Sequence, residues 1–153
     1  MAAKPPEGRS RDDAEAEAEA KAAVMGWEQQ PGAASKLFDV FTVSGLRVDA
    51  IEPGRVLCTF AVPPRLTLAS LVDLVGSAVL FAGGSPTTGV SLEITVSYLR
   101  AARANEEIEI DARVLGIGAT TGCVTVEVRR KGTGEVIAHG RHTKYLAVVS
   151  SKL

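Results

Sequence analysis

The sequence predicts an α+β fold, a curved antiparallel sheet wrapped around one long apolar helix. Three observations predict it. Apolar and polar residues alternate in five separate stretches, and a sixth strand spans about Val136 to Ala147. One segment, Leu68 to Ala82, is apolar at nearly every position, with a single charge, Asp73. The order along the chain is strand, strand, helix, then four strands. Clean alternation marks antiparallel strands with one face in water. A helix that is apolar on most sides needs more cover than a flat sheet gives, so the sheet must curve and a second subunit must help to bury it.

Residues 1–25 read as a low-complexity tail. Pro5, Pro6 and Gly8 precede a run of alternating Glu and Ala with no apolar face. That composition favours transient helix, and without a surface to bury it is expected to stay mobile. Trp27, Leu37, Phe38, Phe41 and Leu46 open the folded domain, expected over residues 26–148, with a short helix between Ala33 and Phe41. From Gly45 the period changes. Leu46, Val48 and Ala50, then Val56, Cys58, Phe60 and Val62, form two arms of a hairpin around Glu52-Pro53-Gly54-Arg55. Adjacent Pro and Gly at the centre suit a type II turn. Pro63 and Pro64 stop the second arm. The apolar helix over 68–82 is roughly 22 Å long at 1.5 Å per residue. Gly83-Gly84-Ser85-Pro86 ends it. Four strands follow, over about 90–98, 107–114, 123–129 and 136–147, the last two joined by a turn at Lys131-Gly132-Thr133-Gly134.

Bulk properties exclude several functions. The chain has 153 residues, 46% hydrophobic and 23% charged, with a formal net charge of −1, which suits a single soluble domain. No global field attracts nucleic acid, and the few aromatics are not interleaved with basic residues. No segment has the length of a membrane span, and no apolar core of a signal peptide precedes Lys21. Two cysteines, Cys58 and Cys123, support neither a disulfide framework nor a zinc site. No glycine-rich loop follows a strand and opens a helix, so nucleotide cradling has no support. No cofactor or metal is expected. The final Ser151-Lys152-Leu153, within a terminal tail of residues 149–153, is the tripeptide read by the peroxisomal import receptor, so the expected location is the peroxisome.

Asp73 carries the candidate chemistry. Three and four residues from it lie Ala69, Ser70, Gly76 and Ser77. This stripe of small and hydroxylic residues would let another chain or a ligand approach the carboxylate. A lone carboxylate in an apolar helix is costly unless paired, hydrated or used. It is expected to be mostly desolvated, which raises its proton affinity. Functional and structural roles both remain open on this evidence.

Further residues extend the pattern: Ala69-Ser70-Leu71-Val72-Asp73 with Gly76-Ser77-Ala78, Gly89-Val90-Ser91-Leu92 with Tyr98-Leu99, and Gly132-Thr133-Gly134 with Gly140-Arg141-His142-Thr143-Lys144-Tyr145-Leu146. On these, the chain from Leu46 to Leu146 resembles the small hotdog acyl-CoA thioesterases, namely the acyl-CoA thioesterase 13-like proteins and the related plant peroxisomal thioesterases. The resemblance implies the hotdog fold and a homo-oligomer, dimer or tetramer. It implies hydrolysis of acyl-CoA at a subunit interface. Asp73 matches the helix carboxylate that acts as general base or nucleophile. Ser91 matches a residue that places water or substrate, and Tyr98 matches a position near the substrate. By strict alternation Ser91 and Tyr98 face opposite sides, so they share a site only if the strand bulges or they serve different subunits.

Two departures from the family pattern stand out. In relatives a His-Gly-Gly segment precedes the catalytic helix, and its backbone N–H groups hold the developing oxyanion. Here Pro63-Pro64-Arg65-Leu66-Thr67 runs straight into Leu68, about ten family residues short. The turn at residues 116–122 lacks the Lys or Arg that would suit CoA phosphates. Arg100, Arg103, Arg141 and Lys144 stand as alternative phosphate partners, each otherwise a solvated surface cation.

His139 and His142 lie three apart on a strand and so face opposite sides, which rules out a two-His metal site. His142 shares the side of Ala138 and Gly140 and reads as inward. Its expected roles are a satisfied, semi-buried histidine or a substrate contact. Nothing in the sequence indicates a Ser-His-Asp triad, nor a histidine beside the helix of the kind a hydratase would need. The expected function is therefore acyl-CoA thioester hydrolysis. The alternative is a catalytically impaired hotdog subunit that binds acyl-CoA or an active paralogue.

Overall fold

In the computed structural model of the protein, the described residues are 11–27, 45–63 and 68–146. They form two helices, α1 (Arg11–Trp27) and α2 (Leu68–Ala82), and six strands. The strands are β1 (Arg47–Glu52), β2 (Arg55–Ala61), β3 (Val90–Tyr98), β4 (Glu107–Ile117), β5 (Thr121–Arg130) and β6 (Val136–Tyr145). They make one antiparallel sheet in the order β1-β2-β4-β5-β6-β3. The α+β architecture is the one the alternation predicts. The short helix expected between Ala33 and Phe41, and the terminal Ser151-Lys152-Leu153, lie outside the described residues.

One expectation is corrected at the N-terminus. Within and just beyond the tail expected over residues 1–25, whose composition favours transient helix, Arg11–Trp27 is a helix in contact with α2 and β1. Its Ala and Glu residues have high helix propensity, and Lys21 pairs with Glu17 one turn earlier, Nζ to Oε1 2.8 Å.

The sheet buries its inner face on α2. Val56, Cys58 and Phe60 of β2, Ile108, Ile110 and Ala112 of β4, and Val124, Val126 and Val128 of β5 are all at most 1% exposed. They meet Leu71, Val72, Val75, Val79 and Leu80 of α2 in one core. The outer face is polar. There Asp111 accepts paired hydrogen bonds from Arg55 and Arg113, tying β2 to β4. Burial alone would raise the Asp111 carboxyl, but the two guanidinium groups more than offset it and hold the group below its usual range.

α2 ends as its glycines require. Gly84 sits at φ +88°, and Ser85 N donates to Leu80 O at 2.9 Å while Gly84 N donates to Phe81 O at 2.9 Å. Those paired bonds are the Schellman closure, which favours glycine at the left-handed position. Gly89 (φ +59°) has a stricter reason: a Cβ there would lie 1.9 Å from the Tyr145 carbonyl oxygen. That contact seats β3 on β6.

Candidate active site

The helix and the sheet approach closely because two glycines face the contact. A Cβ on Gly140 of β6 would lie 2.6 Å from Val72 Cγ1, closer than packed atoms tolerate. A Cβ on Gly76 of α2 would lie 3.1 Å from Val124 and 3.5 Å from His142 Nδ1. The inner face of β6 runs Ala138, Gly140, His142, Lys144, so the next two side chains after Gly140 point at α2 and are polar. His142 is fully buried and Lys144 is 5% exposed.

Asp73 lies against this pair. Its Oδ1 is 3.7 Å from His142 Nδ1. It is not desolvated as expected: the side chain is 55% exposed in the single chain. The expected all-round burial of α2 holds for its C-terminal half, Val75 to Ala82. It fails at the N-terminal half, where Ala69, Ser70 and Leu74 are half-buried and Asp73 is open. Of the small-residue stripe, Gly76 and Ser77 are buried, while Ala69 and Ser70 flank the open Asp73.

Ser91 reaches the other side of the imidazole, Oγ to Nε2 2.8 Å. β3 bulges between Ser91 and Glu93, so Ser91 pairs with Lys144 and Tyr98 with Ala138, both on the inner side of β6. The bulge places Ser91 and Tyr98 on one face, the condition the alternation had left open. They are still not neighbours. Seven residues of strand separate them by about 20 Å, and Tyr98 is 61% exposed at the far end of β3. The fold thus brings Asp73, His142 and Ser91 together and leaves Tyr98 apart.

The Ser91–His142–Asp73 line is a Ser-His-Asp arrangement that sequence reading did not foresee, and it puts a histidine beside the helix. His142 is more buried than the semi-buried residue expected, and its Nδ1 has no hydrogen-bond partner among the described residues. A carboxylate can only accept, so the tautomer that suits both neighbours carries its proton on Nδ1, toward Asp73. Nε2 then accepts the Ser91 hydroxyl proton. Burial pushes the imidazole below its usual value, the Lys144 charge lowers it further, and Asp73 opposes both. The ring is neutral at neutral pH, so the Asp73 contact is not an ion pair there.

Lys144 is the second correction. It is no solvated surface cation: its Nζ donates to Ser77 Oγ at 2.7 Å, and Ser77 is 5% exposed. Burial lowers the ammonium's proton affinity, and Asp73 partly restores it. Of the other cations, Arg100 is held by Glu135 and the Leu99 carbonyl, and Arg141 leans on Cys123 Sγ; both stay exposed. His139 is on the outer face, bonded to Thr125 Oγ1 at 2.8 Å. Among the described residues no group of three His, Cys, Asp or Glu could hold a metal, and no helix is long and apolar enough to cross a membrane.

A family model of the thioesterase superfamily matches residues 67–137, the stretch that holds α2, Asp73 and Ser91. Human acyl-coenzyme A thioesterase 13 is 35% identical over 104 residues, covering 61% of this chain and 74% of that one. The chain belongs to the thioesterase superfamily. The fold agrees. A zebrafish structure, thioesterase superfamily member 2, superposes with a TM-score of 0.69 at 31% identity, over 83% of this chain and 95% of that one. A hypothetical thioesterase from Streptococcus pneumoniae, solved with coenzyme A, shares the fold at 20% identity, with a TM-score of 0.66 over 76% of this chain and 97% of that one. The architecture is the hotdog fold, and the family's chemistry is thioester hydrolysis. Since 61% of a 153-residue chain is fewer than 104 residues, this chain is the shorter partner across the stretch matched to the human relative.

A depressed imidazole has a signature in stability. The unfolded chain binds a proton near the ordinary histidine value of about 6.5, while folded His142 binds it only at lower pH. Between those two values the unfolded state holds more protons, so stability falls as pH falls through that window. Urea titrations at pH 7.5 and pH 5.5 should show the wild type losing more stability on acidification than His142→Gln. Equal losses in the two proteins would show that His142 is not the group responsible.

Proposed function

We propose that this thioesterase hydrolyses acyl-CoA to free acid and CoA, with Asp73 as the general base. The observation that carries the reading is the 3.7 Å approach of Asp73 Oδ1 to a buried, neutral His142 whose other nitrogen holds Ser91. The names of the relatives support the substrate class. In this reading a water bound between Asp73 and Ser91 gives its proton to the carboxylate as its oxygen attacks the thioester carbonyl carbon. The oxyanion then collapses, the C–S bond breaks, and the CoA sulfur leaves as thiolate and takes up a proton. His142 fixes the Ser91 hydroxyl, and the open face at Asp73 is where the thioester enters. Tyr98 belongs to the substrate path of a neighbouring subunit, because within one chain it stands too far from Asp73.

The competing reading is a subunit of impaired catalysis that binds acyl-CoA or an active paralogue. It is favoured by the shortfall against relatives, which the sequence places at the junction of Thr67 and Leu68. If oxyanion donors are missing there, turnover drops: one such donor is worth about 10²–10³ in rate. Assays of CoA release with lauroyl-CoA and phenylacetyl-CoA separate the readings. Slow but measurable turnover is expected, abolished by Asp73→Asn with the fold intact. Ser91→Ala should cost about 10- to 100-fold if Ser91 only positions water, and far more if it is itself the nucleophile. Turnover unchanged in Asp73→Asn would end the general-base assignment.

The working form in this proposal is a homo-oligomer, dimer or tetramer. Supporting it, the edge strand β3 carries exposed Val90, Leu92 and Ile94, and Asp73 is open on α2 with Ala69 and Ser70 half-buried beside it. A symmetric pair is the commonest way to cover such surfaces. Light scattering at micromolar concentration should give at least twice the mass of one chain, and a monomer alone would refute it.

The proposed location is the peroxisome, through the import receptor's recognition of Ser151-Lys152-Leu153. A fluorescent fusion at the N-terminus should give puncta that coincide with a peroxisomal marker, and deletion of Leu153 should disperse them. Diffuse signal from the intact tail would rule the address out.

A further inference from the structure

Lys144 has no role in the chemistry so far, yet it is a buried cation beside the site. Its ammonium is anchored on Ser77 Oγ at 2.7 Å, and both residues are 5% exposed. Ser77 lies four residues after Asp73, one turn along the same helix face, where Cβ atoms are about 6 Å apart. On β6, Lys144 lies two residues from His142 on the same face, about 7 Å along the strand. Across the ladder it sits opposite Ser91. The cation therefore borders all three members of the Ser91–His142–Asp73 line. Burying an ammonium on a single recorded hydroxyl partner is expensive. A methionine of similar length would fill the space more cheaply, so the charge itself is what the position supplies.

We propose that Lys144 is a positioning residue of this site: its positive charge, tethered by Ser77, helps to keep His142 neutral, so that the ring goes on accepting from Ser91. The proposal rests on the reading of Asp73 as the base. A positive charge beside an imidazole disfavours a second positive charge on the ring, and the same charge favours an ionised carboxylate. A protonated His142 would donate from both nitrogens, so it could no longer accept from Ser91. It would also pair with Asp73, 3.7 Å away. Lys144 blocks that collapse into an ion pair. Among the described residues, the groups facing Lys144 are few. From α2 there is Asp73 beside Ser77. From β6 there is His142. From β5 come Gly122 and Val124, which carry no charge, and from β3 the inner face offers Ser91, Ile94 and Val96 before Tyr98 at its far end. Glu93 pairs with Thr143 on the other side of the sheet.

The chain has two histidines, which makes the test direct. In full-length protein with labelled histidine, NMR titration reads both rings, and His139 on the outer face serves as the internal reference. In Lys144→Met the His142 midpoint should move up while that of His139 stays put. In Lys144→Arg, which restores the charge, the His142 midpoint should return toward wild type. With lauroyl-CoA, Lys144→Met should lose about tenfold in kcat, with KM little changed, and Lys144→Arg should recover part of it. If Lys144→Met fails to fold, Ser77→Ala carries the same test by releasing the tether, with an upward His142 shift of smaller size. An unmoved His142 midpoint in the folded variant would overturn the proposal, as would a Lys144→Arg protein that behaves like Lys144→Met. The two readings fail separately. Undiminished hydrolysis in Asp73→Asn removes the base assignment without touching the titration, and a static His142 midpoint removes Lys144 without touching Asp73.

Discussion

The close approach of α2 to β6 is the constraint on which the rest depends. Val72 occupies the volume a side chain on Gly140 would need, and Gly76 leaves room for Val124 beside the His142 ring. Together these gaps let the helix settle on the strand without intervening side chains. Asp73 is thereby carried to the edge of the sheet, where His142 Nδ1 stands 3.7 Å away. A helix held further out by even one methyl group would leave the imidazole and carboxylate beyond useful interaction. The core and the site are one packing problem, because the glycines that close the core also set the catalytic distance.

That packing concentrates polarity in one place. The inner face of the sheet is aliphatic through β2, β4 and β5, then turns polar at His142 and Lys144, with Ser77 facing them from α2. Each of these groups is costly to bury alone. Ser77 serves the Lys144 ammonium, and Ser91 serves one nitrogen of His142, while the second nitrogen is left to the Asp73 carboxylate across a gap too long for a hydrogen bond. The outer face solves a similar problem differently: buried Asp111 has paired arginines and its proton affinity falls. Fully satisfied, Asp111 is a clamp. Incompletely satisfied, the inner cluster keeps capacity to bind something more.

Much of the fold was legible because alternation and punctuation are local. The hairpin around Pro53-Gly54, the helix over Leu68–Ala82 and the strand over Val90–Tyr98 all lie where the pattern put them. The site was legible at Asp73, a lone charge in an apolar helix, and less so elsewhere. Parity with Ala138 and Gly140 turned His142 inward. The same parity applied two residues on would have turned Lys144 inward too, but the habit of placing lysine in water overrode it. The bulge at Leu92 left no mark, since Leu92 continues the apolar register on either side. Without the bulge Ser91 faces away from His142, so the Ser91–His142–Asp73 line could not be built from spacing. Exposure of Asp73 in the single chain has a different reason: the helix was read as covered by the sheet together with a second subunit, and one chain supplies only the sheet's share of that cover.

That last point bears on how the site works. β3 is an edge strand, paired only on the β6 side, and Ser91 projects from it beside the open face of α2. The buried part of the site, His142 and Lys144, is fixed by the core of one chain. The part that reacts in the proposed mechanism, Asp73 and Ser91, lies where that core ends. Such a division separates two demands that conflict in a single pocket. The groups that set charge need a dry, rigid setting, where a nearby cation acts strongly. The groups that meet a thioester need access. Covering the open face with a second surface would remove water from Asp73 while the buried groups beneath it stay where the core of one chain has already fixed them.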